Sequence, residues 1–316
     1  MNPLSGLYGG AAGLRNAMFD RGVLSSRRLK QPVISVGNLS AGGSGKTPFV
    51  IALGELLKAR GIRLDVLSRG YGRKTRGVLV VETGGKAADF GDEPLLIARR
   101  LGVPVIVGES RYAAGRVAEQ KFDSQLHILD DGFQHRSLAR DFDVVLVTDH
   151  DFDDTLLPTG RLREPLSSLA RADAIVLSTG LGVEHPALRR KLIWRLERKL
   201  TLADAPPAPV VFCGIARPEQ FFEQVRRAGV VPAAEVEFRD HHAYSGNDVE
   251  LLIAMRRKSD GGGFLTTEKD EVNLESSSFR AGLNPLAVAT LSIELEQPAN
   301  IVNTILTRVE ERRARS

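Results

Sequence analysis

The sequence predicts an α/β architecture, a mostly parallel sheet with helices on both faces, followed by a second, smaller α/β domain. Three observations carry this. Short, near-continuous apolar runs alternate with segments of helical periodicity, as expected for parallel strands covered on both faces. The first such run feeds a glycine-rich turn that opens a helical pattern, the layout of a phosphate-binding loop. A Pro/Ala-rich stretch at 202–209 separates these elements from a shorter strand–helix series. At 316 residues the chain is long enough for a large core and two domains.

Residues 1–30 form a basic amphipathic segment. Leu4, Leu7, Tyr8, Ala11, Leu14 and Met18 recur at helical spacing, and Arg15, Arg21, Arg27, Arg28 and Lys30 stand against the single acid Asp20. Such a segment either lies in an anionic membrane interface or packs as a terminal helix on the protein's own core. Gly6, Gly9, Gly10 and Gly13 weaken it as a free helix.

The predicted nucleotide domain, 31–205, begins with the strand Pro32–Val36. The turn Gly37-Asn38-Leu39-Ser40-Ala41-Gly42-Gly43-Ser44-Gly45-Lys46-Thr47-Pro48 and a helix from Phe49 follow. Successive N–H groups of Gly42, Gly43, Ser44 and Gly45 cradle phosphates, Lys46 places a charge on them, and the Thr47 hydroxyl ligates Mg²⁺. Ser40 stands where the usual loop has glycine; Gly42 and Gly43 supply the flexibility. These features predict a P-loop NTPase-like sheet. Further strands are read at Arg63–Ser68, Val78–Glu82, Val103–Val107, Leu126–Leu129, Val144–Thr148 and Ala174–Leu177, with helices at Glu93–Leu101, Arg111–Lys121 and the charged stretch Pro186–Leu200. The smaller domain, 206–316, has strands at Val210–Phe212, Glu235–Phe238, Gly263–Thr266 and Ile293–Leu295. Its helices are read at Pro218–Arg227, Gly246–Ser259 and Ala299–Arg313.

Composition narrows the function. A net charge of +4 is compatible with an anionic ligand or surface but too weak to argue for nucleic acid. Cys213 is the sole cysteine, which excludes an intrachain disulfide and a cysteine-based zinc site. No apolar run is long enough to span a bilayer.

Polar clusters fall at the carboxyl ends of strands, where such sheets bind ligands. Asp130 and Asp131 follow a buried strand, and paired acids across from a phosphate loop suit Mg²⁺. Asp92 opens a helix as an N-cap or as a functional acid. Asp240-His241-His242 places a possible acid–base group in the second domain. In Leu157–Glu164, Arg163 suits developing phosphate charge and Glu164 suits Mg²⁺, unless both are solvated surface charges.

These stretches resemble one family in their order along nearly the whole chain. They are Gly37–Pro48, Ser68-Arg69-Gly70-Tyr71-Gly72, Gly91-Asp92-Glu93-Pro94, Asp130–His135, Leu157–Glu164, Asp240–Tyr244 and Thr266-Thr267-Glu268-Lys269-Asp270. The family is that of the tetraacyldisaccharide 4'-kinases. The resemblance implies ATP- and Mg²⁺-dependent phosphorylation of the 4'-hydroxyl of an acylated disaccharide 1-phosphate lipid. It places a peripheral, monomeric enzyme on the anionic cytoplasmic face of the bacterial inner membrane, with no nucleic-acid partner. By the same resemblance Asp92 activates the sugar hydroxyl with His241 as its partner. Arg163 and Lys46 face phosphate, and Thr47, Asp130, Asp131 and Glu164 serve the metal. A membrane-bound switch ATPase and a soluble small-molecule kinase or ligase share the phosphate loop without needing Asp92 and His241 to converge.

Overall fold

The computed structural model describes residues 3–179, 184–275 and 279–315. In chain order the elements are α1 (Pro3–Asp20), β1 (Val33–Asn38), α2 (Lys46–Ala59), β2 (Leu64–Ser68), β3 (Leu79–Val80), α3 (Ala87–Phe90), α4 (Asp92–Leu101), β4 (Val105–Val107), α5 (Arg111–Lys121), β5 (Leu126–Asp130), β6 (Phe142–Leu146), α6 (His150–Asp153), β7 (Ala174–Ser178), β8 (Leu192–Thr201), β9 (Val210–Cys213), α7 (Pro218–Arg227), β10 (Ala234–Glu237), α8 (Gly246–Lys258), β11 (Phe264–Thr267), α9 (Glu268–Glu275), β12 (Leu286–Leu295) and α10 (Pro298–Ala314).

The strands form one twelve-stranded sheet in the order β10-β9-β11-β12-β8-β7-β6-β1-β5-β2-β4-β3. Strands β8 through β4 run parallel, and only β3 opposes them at that edge. The direction reverses where β8 pairs with β12, and β12, β11, β9 and β10 are again mutually parallel. The α/β class with a mostly parallel sheet is therefore observed. The central strands β1, β2, β5 and β6 are buried throughout, which accounts for their unbroken apolar character.

Two expectations fail. The charged stretch Pro186–Leu200 is not a helix: a single 3₁₀ turn at Pro186–Leu188 leads into the ten-residue strand β8. Trp194 and Leu196 are buried while Glu197 and Lys199 are exposed, a period of two that a helix does not give. Its partner β12 is also ten residues long and begins well before Ile293. These two strands join the lobes. Helices α9 and α10 then cross back: Val272, Ile301, Val302, Ile305 and Val309 share one core with Ile34, Phe49 and Leu95. The second lobe keeps its own core around Val210, Phe212, Leu252 and Phe264.

Register positions the site. Val36 of β1 lies beside Asp130 of β5, so the end of β5 emerges next to the turn that follows Asn38. Gly37 permits the approach, since a Cβ there would lie 2.6 Å from the Cβ of Phe133.

Candidate active site

Gly42, Gly43 and Gly45 have φ of 72°, 64° and 82°, left-handed values that turn the loop onto the start of α2. That helix opens at Lys46 with no side-chain cap and no acid in its first turn. Its leading N–H groups are thus open to an anion, and the helix dipole favours one. Ser44 and Thr47 are buried in the same turn. The Lys46 ammonium donates to Asn38 Oδ1 at 3.0 Å and lies 3.4 Å from Asp131 Oδ1.

The two acids at the end of β5 differ in state. Asp130 is buried and accepts from the Ser68 hydroxyl at 2.9 Å, but its Oδ1 has no partner. Burial and the charges of Glu93 and Asp131 push its pKa up to about 7. Asp131 has φ 49°, which takes its carboxylate out of the strand's alternation. Arg163 grips it through both terminal nitrogens at 2.9 and 2.8 Å, and also donates to Asn38. Burial opposes the charge of Asp131, but Lys46 and Arg163 outweigh burial and hold its pKa below the usual carboxylate range.

Glu164, next to Arg163, is buried, and its Oε1 has no partner among the described residues. It accepts from Arg171 and from Asn16 of α1, each at 2.8 Å, and none of its hydrogen bonds involves Thr47, Asp130 or Asp131. In this structure it ties α1 to the domain. Glu93 is the acid near Asp130 that sequence reasoning passed over, having been read only as a first-turn residue.

The second constellation crosses between lobes. Gly91 (φ 91°), not Asp92, is the N-cap of α4; a Cβ there would lie 2.9 Å from the Tyr71 carbonyl. Asp92 is the first helical residue, buried, and accepts from the Glu93 N–H at 2.8 Å. Its carboxylate lies 2.8 and 3.0 Å from His241 Nδ1. The N–H of His241 donates to the Gly214 carbonyl at 3.1 Å, and Tyr71 packs on the ring at 5.0 Å. Lys269 lies 3.3 Å from His241 Nε2, 2.9 Å from Asp240, 3.6 Å from Glu93 and 3.9 Å from Asp92. Burial opposes the charge of Lys269, but Glu93, Asp92 and Asp240 outweigh it and hold the ammonium. An ammonium only donates, so Nε2 accepts and the neutral His241 carries its proton on Nδ1, facing Asp92. Burial lowers the pKa of His241, yet Asp92 reverses this and the net shift is upward. Burial likewise opposes the Asp92 charge, but His241 and Lys269 bring its pKa below the ordinary value. Lys269 thus completes the network; its trace in the sequence is the stretch Thr266–Asp270, which carries the resemblance without assigning Lys269 a role.

A cavity of about 340 Å³ opens beside the acids, lined by Arg15, Arg69, Arg111, Gln134, His135 and Arg163, with Asp131 on one side. Burial and the neighbouring guanidinium of Arg69 lower the Arg111 pKa to about 10. Burial and the surrounding arginines lower that of His135 to about 4. The repulsion between the Arg69 and Arg111 guanidiniums, beside a neutral His135, marks a place suited to an anion, with Glu109 and Asp131 as the acids in its lining.

Comparison with known proteins agrees with this geometry. The family model described as LpxK, tetraacyldisaccharide-1-P 4'-kinase, matches residues 1–310. The chain belongs to this family. It is 47% identical over 322 residues to the tetraacyldisaccharide 4'-kinase of Koribacter versatilis, covering 99% of each chain. It is 38% identical over 299 residues to that of Aquifex aeolicus, covering 89% of this chain and 91% of the other. The crystal structure of Aquifex aeolicus LpxK in complex with ATP superposes with a TM-score of 0.80 at 35% identity, covering 97% of each chain. The family's α/β fold is thus the fold observed here.

The residues also suit the cation such a kinase uses with ATP. No group of three or more His, Cys, Asp or Glu among the described residues is placed to hold a metal by itself. Mg²⁺, however, is usually held by one or two carboxylates together with phosphate oxygens and water. The Oδ1 of buried Asp130, without a hydrogen-bond partner among the described residues and repelled by Glu93 and Asp131, fits that requirement.

Proposed function

We propose that this chain transfers the γ-phosphoryl group of ATP to the 4'-hydroxyl of a tetraacylated disaccharide 1-phosphate, a lipid A precursor, giving lipid IVA. The observation that carries the reading is the Asp92–His241 pair, 2.8 Å apart, linked through Lys269 and Glu93 to Asp130 beside the phosphate loop. A switch ATPase needs no such pair.

Lys46 and the N–H groups of Gly42–Lys46 hold the phosphates. Asp130, with Glu93 and Thr47 nearby, holds Mg²⁺, which when bound neutralises phosphate charge. Arg163 keeps Asp131 in place and presents a cation to the transferring group. In the reaction the bond from the γ-phosphorus to the bridging oxygen of ADP breaks as the bond to the 4'-oxygen forms. The hydroxyl proton passes to the Asp92–His241 pair. Positioning and charge neutralisation dominate such a transfer. The arginine-lined cavity takes the sugar and phosphate of the acceptor. We further read 31–205 as the nucleotide domain and 206–316 as the lobe that delivers His241, with α10 returning to the first core.

The N-terminus is the membrane contact, on the cytoplasmic face of the inner membrane. Among the described residues no helix is long and apolar enough to cross a membrane. Helix α1 is held by one face: Ser5 donates to the Leu156 carbonyl at 3.0 Å, the Tyr8 hydroxyl donates to the Arg163 carbonyl, and Asn16 meets Glu164. Three leucines of the apolar stripe face outward, Leu4, Leu7 and Leu14, exposed by 60%, 76% and 63%, while Tyr8 and Met18 are half-buried. Burying each leucine in an acyl boundary contributes roughly 2 kcal/mol. Changing Leu4, Leu7 and Leu14 together to Gln is expected to weaken sedimentation with anionic vesicles by at least about tenfold and to leave ATP binding unchanged. Sedimentation equal to that of the wild type would assign membrane contact to another surface.

The activity itself is tested by transfer of label from γ-labelled ATP to tetraacyldisaccharide 1-phosphate in detergent micelles. Labelled product is expected only with the lipid acceptor. Hydrolysis without transfer would favour the switch ATPase.

A further inference from the structure

Four arginines surround the phosphate loop, and three are engaged. Arg163 grips Asp131 with two hydrogen bonds. Arg198 of β8 donates to the Ser44 carbonyl at 2.9 Å and to the Ser178 hydroxyl at 3.3 Å. Arg161 reaches the Ala216 carbonyl at 3.5 Å. Arg217 differs in its terminal nitrogens, which hold no group among the described residues; its Nε, like that of Arg163, is buried without a hydrogen-bond partner there. Its side chain lies over the middle of the loop: a Cβ at Gly43 would sit 2.9 Å from its Cγ and 3.0 Å from its Nε. Gly42 is similarly covered, with Ala216 and Arg161 2.9 and 3.5 Å from where its Cβ would be. Arg217 and Arg161 also border an open cleft of about 700 Å³.

Arg217 belongs to the second lobe, just before α7, on the connection that follows β9. The same lobe carries His241, whose N–H is held by Gly214, three positions before Arg217 in the chain. A guanidinium over the central glycines of a phosphate loop stands where charge develops between the β- and γ-phosphates as the bond to ADP breaks. Arginines supplied at that place from outside the loop are known to act on transfer more than on binding.

Building on the kinase reading above, we propose that Arg217 is a further catalytic residue, an arginine finger supplied in cis by the second lobe. It stabilises the leaving phosphate oxygens and couples nucleotide occupancy to the placement of His241. Two features favour it over the other arginines: it lies against Gly43, and none of its donors is hydrogen-bonded among the described residues. Arg198, by contrast, is held by the Ser44 carbonyl and the Ser178 hydroxyl, and Arg163 presents its charge while gripping Asp131.

The test uses the full chain in detergent micelles with Mg²⁺. Binding of ADP, and of ADP with aluminium fluoride as a mimic of the transferring phosphoryl group, is measured by calorimetry beside steady-state transfer. Arg217→Gln is expected to bind ADP within about threefold of wild type. It is expected to lose most of the extra affinity that fluoride confers, and to lower kcat by about 10²-fold or more. Arg217→Lys should recover little, because a compact ammonium does not reproduce the planar fork. Guanidinium ion in solution should partly restore Arg217→Ala. Equal loss of affinity for ADP and for the fluoride complex would overturn the assignment, and so would kcat within threefold of wild type. If Arg217→Gln fails to fold, Arg217→Lys decides by the same two measurements. If the wild-type chain transfers nothing to the lipid, the kinase reading fails, and the ADP–fluoride titration still judges Arg217.

Discussion

Replacing Lys46 by alanine is expected to abolish transfer, with a loss in kcat of about 10³-fold or more and a weaker hold on ATP. The ammonium lies between Asn38 at 3.0 Å and Asp131 at 3.4 Å, in a largely buried site where a charge acts more strongly than in water. It is the single cation that the loop itself supplies. Arg163 keeps its two hydrogen bonds to Asp131 in the variant, so the acidic pair retains one cation and the fold should survive. Asp130, however, loses the Lys46 charge that opposes its repulsion by Glu93 and Asp131. Its pKa, already about 7, should rise further, which weakens Mg²⁺ binding near neutral pH. The loss should therefore be partly relieved as pH rises. Transfer and ATP binding measured from pH 6.5 to 8.5 check both statements. Near wild-type kcat in the variant would remove the phosphate loop from the mechanism.

The sequence spoke most clearly where burial is complete and local. The strands around the phosphate loop are short runs buried on both faces, and helices at Arg111–Lys121 and Pro218–Arg227 are observed as read. It misled at β8, where Arg195, Glu197 and Lys199 crowd a strand that has one wet face. Counted as charge density, that pattern resembles an exposed helix; counted by alternation, it is a strand. The site divides in the same way. The glycines and Lys46 are contiguous and carry their chemistry in their spacing. Asp92 and His241 lie 149 positions apart, and only the family resemblance joined them. Glu93 and Lys269 lie in stretches that carry the family resemblance but drew no role, and Arg217 lies in none, because their partners are set by how the lobes meet. Glu164 is read toward the metal from its place beside Arg163; in the structure it accepts from Arg171 and Asn16 and keeps one buried carboxylate oxygen without a partner among the described residues.

Asp92→Ala and His241→Ala are each expected to lower kcat by about 10²–10⁴-fold, with smaller effects on the KM for ATP. The reason is geometric. Asp92 alone is a poor base toward an alcohol, since its own pKa is held low by His241 and Lys269. His241 alone would sit in a partly buried place beside the Lys269 ammonium, both of which disfavour its charged form. Together they share the incoming proton across a 2.8 Å hydrogen bond, and neither keeps that capacity without the other. The double variant should then be no more than about threefold worse than the poorer single variant. Fully multiplicative losses would show two independent roles. The pH profile supplies a second check. The pair accepts a proton only while His241 is neutral, so kcat should fall on the acid side. Asp92 raises the His241 pKa above its ordinary value of 6.5, so this limb should lie above 6.5. In Asp92→Asn the raising charge is gone while burial and Lys269 still lower the pKa. The limb should move to lower pH on a reduced plateau. A limb that stays in place would mean that the titrating group is not His241.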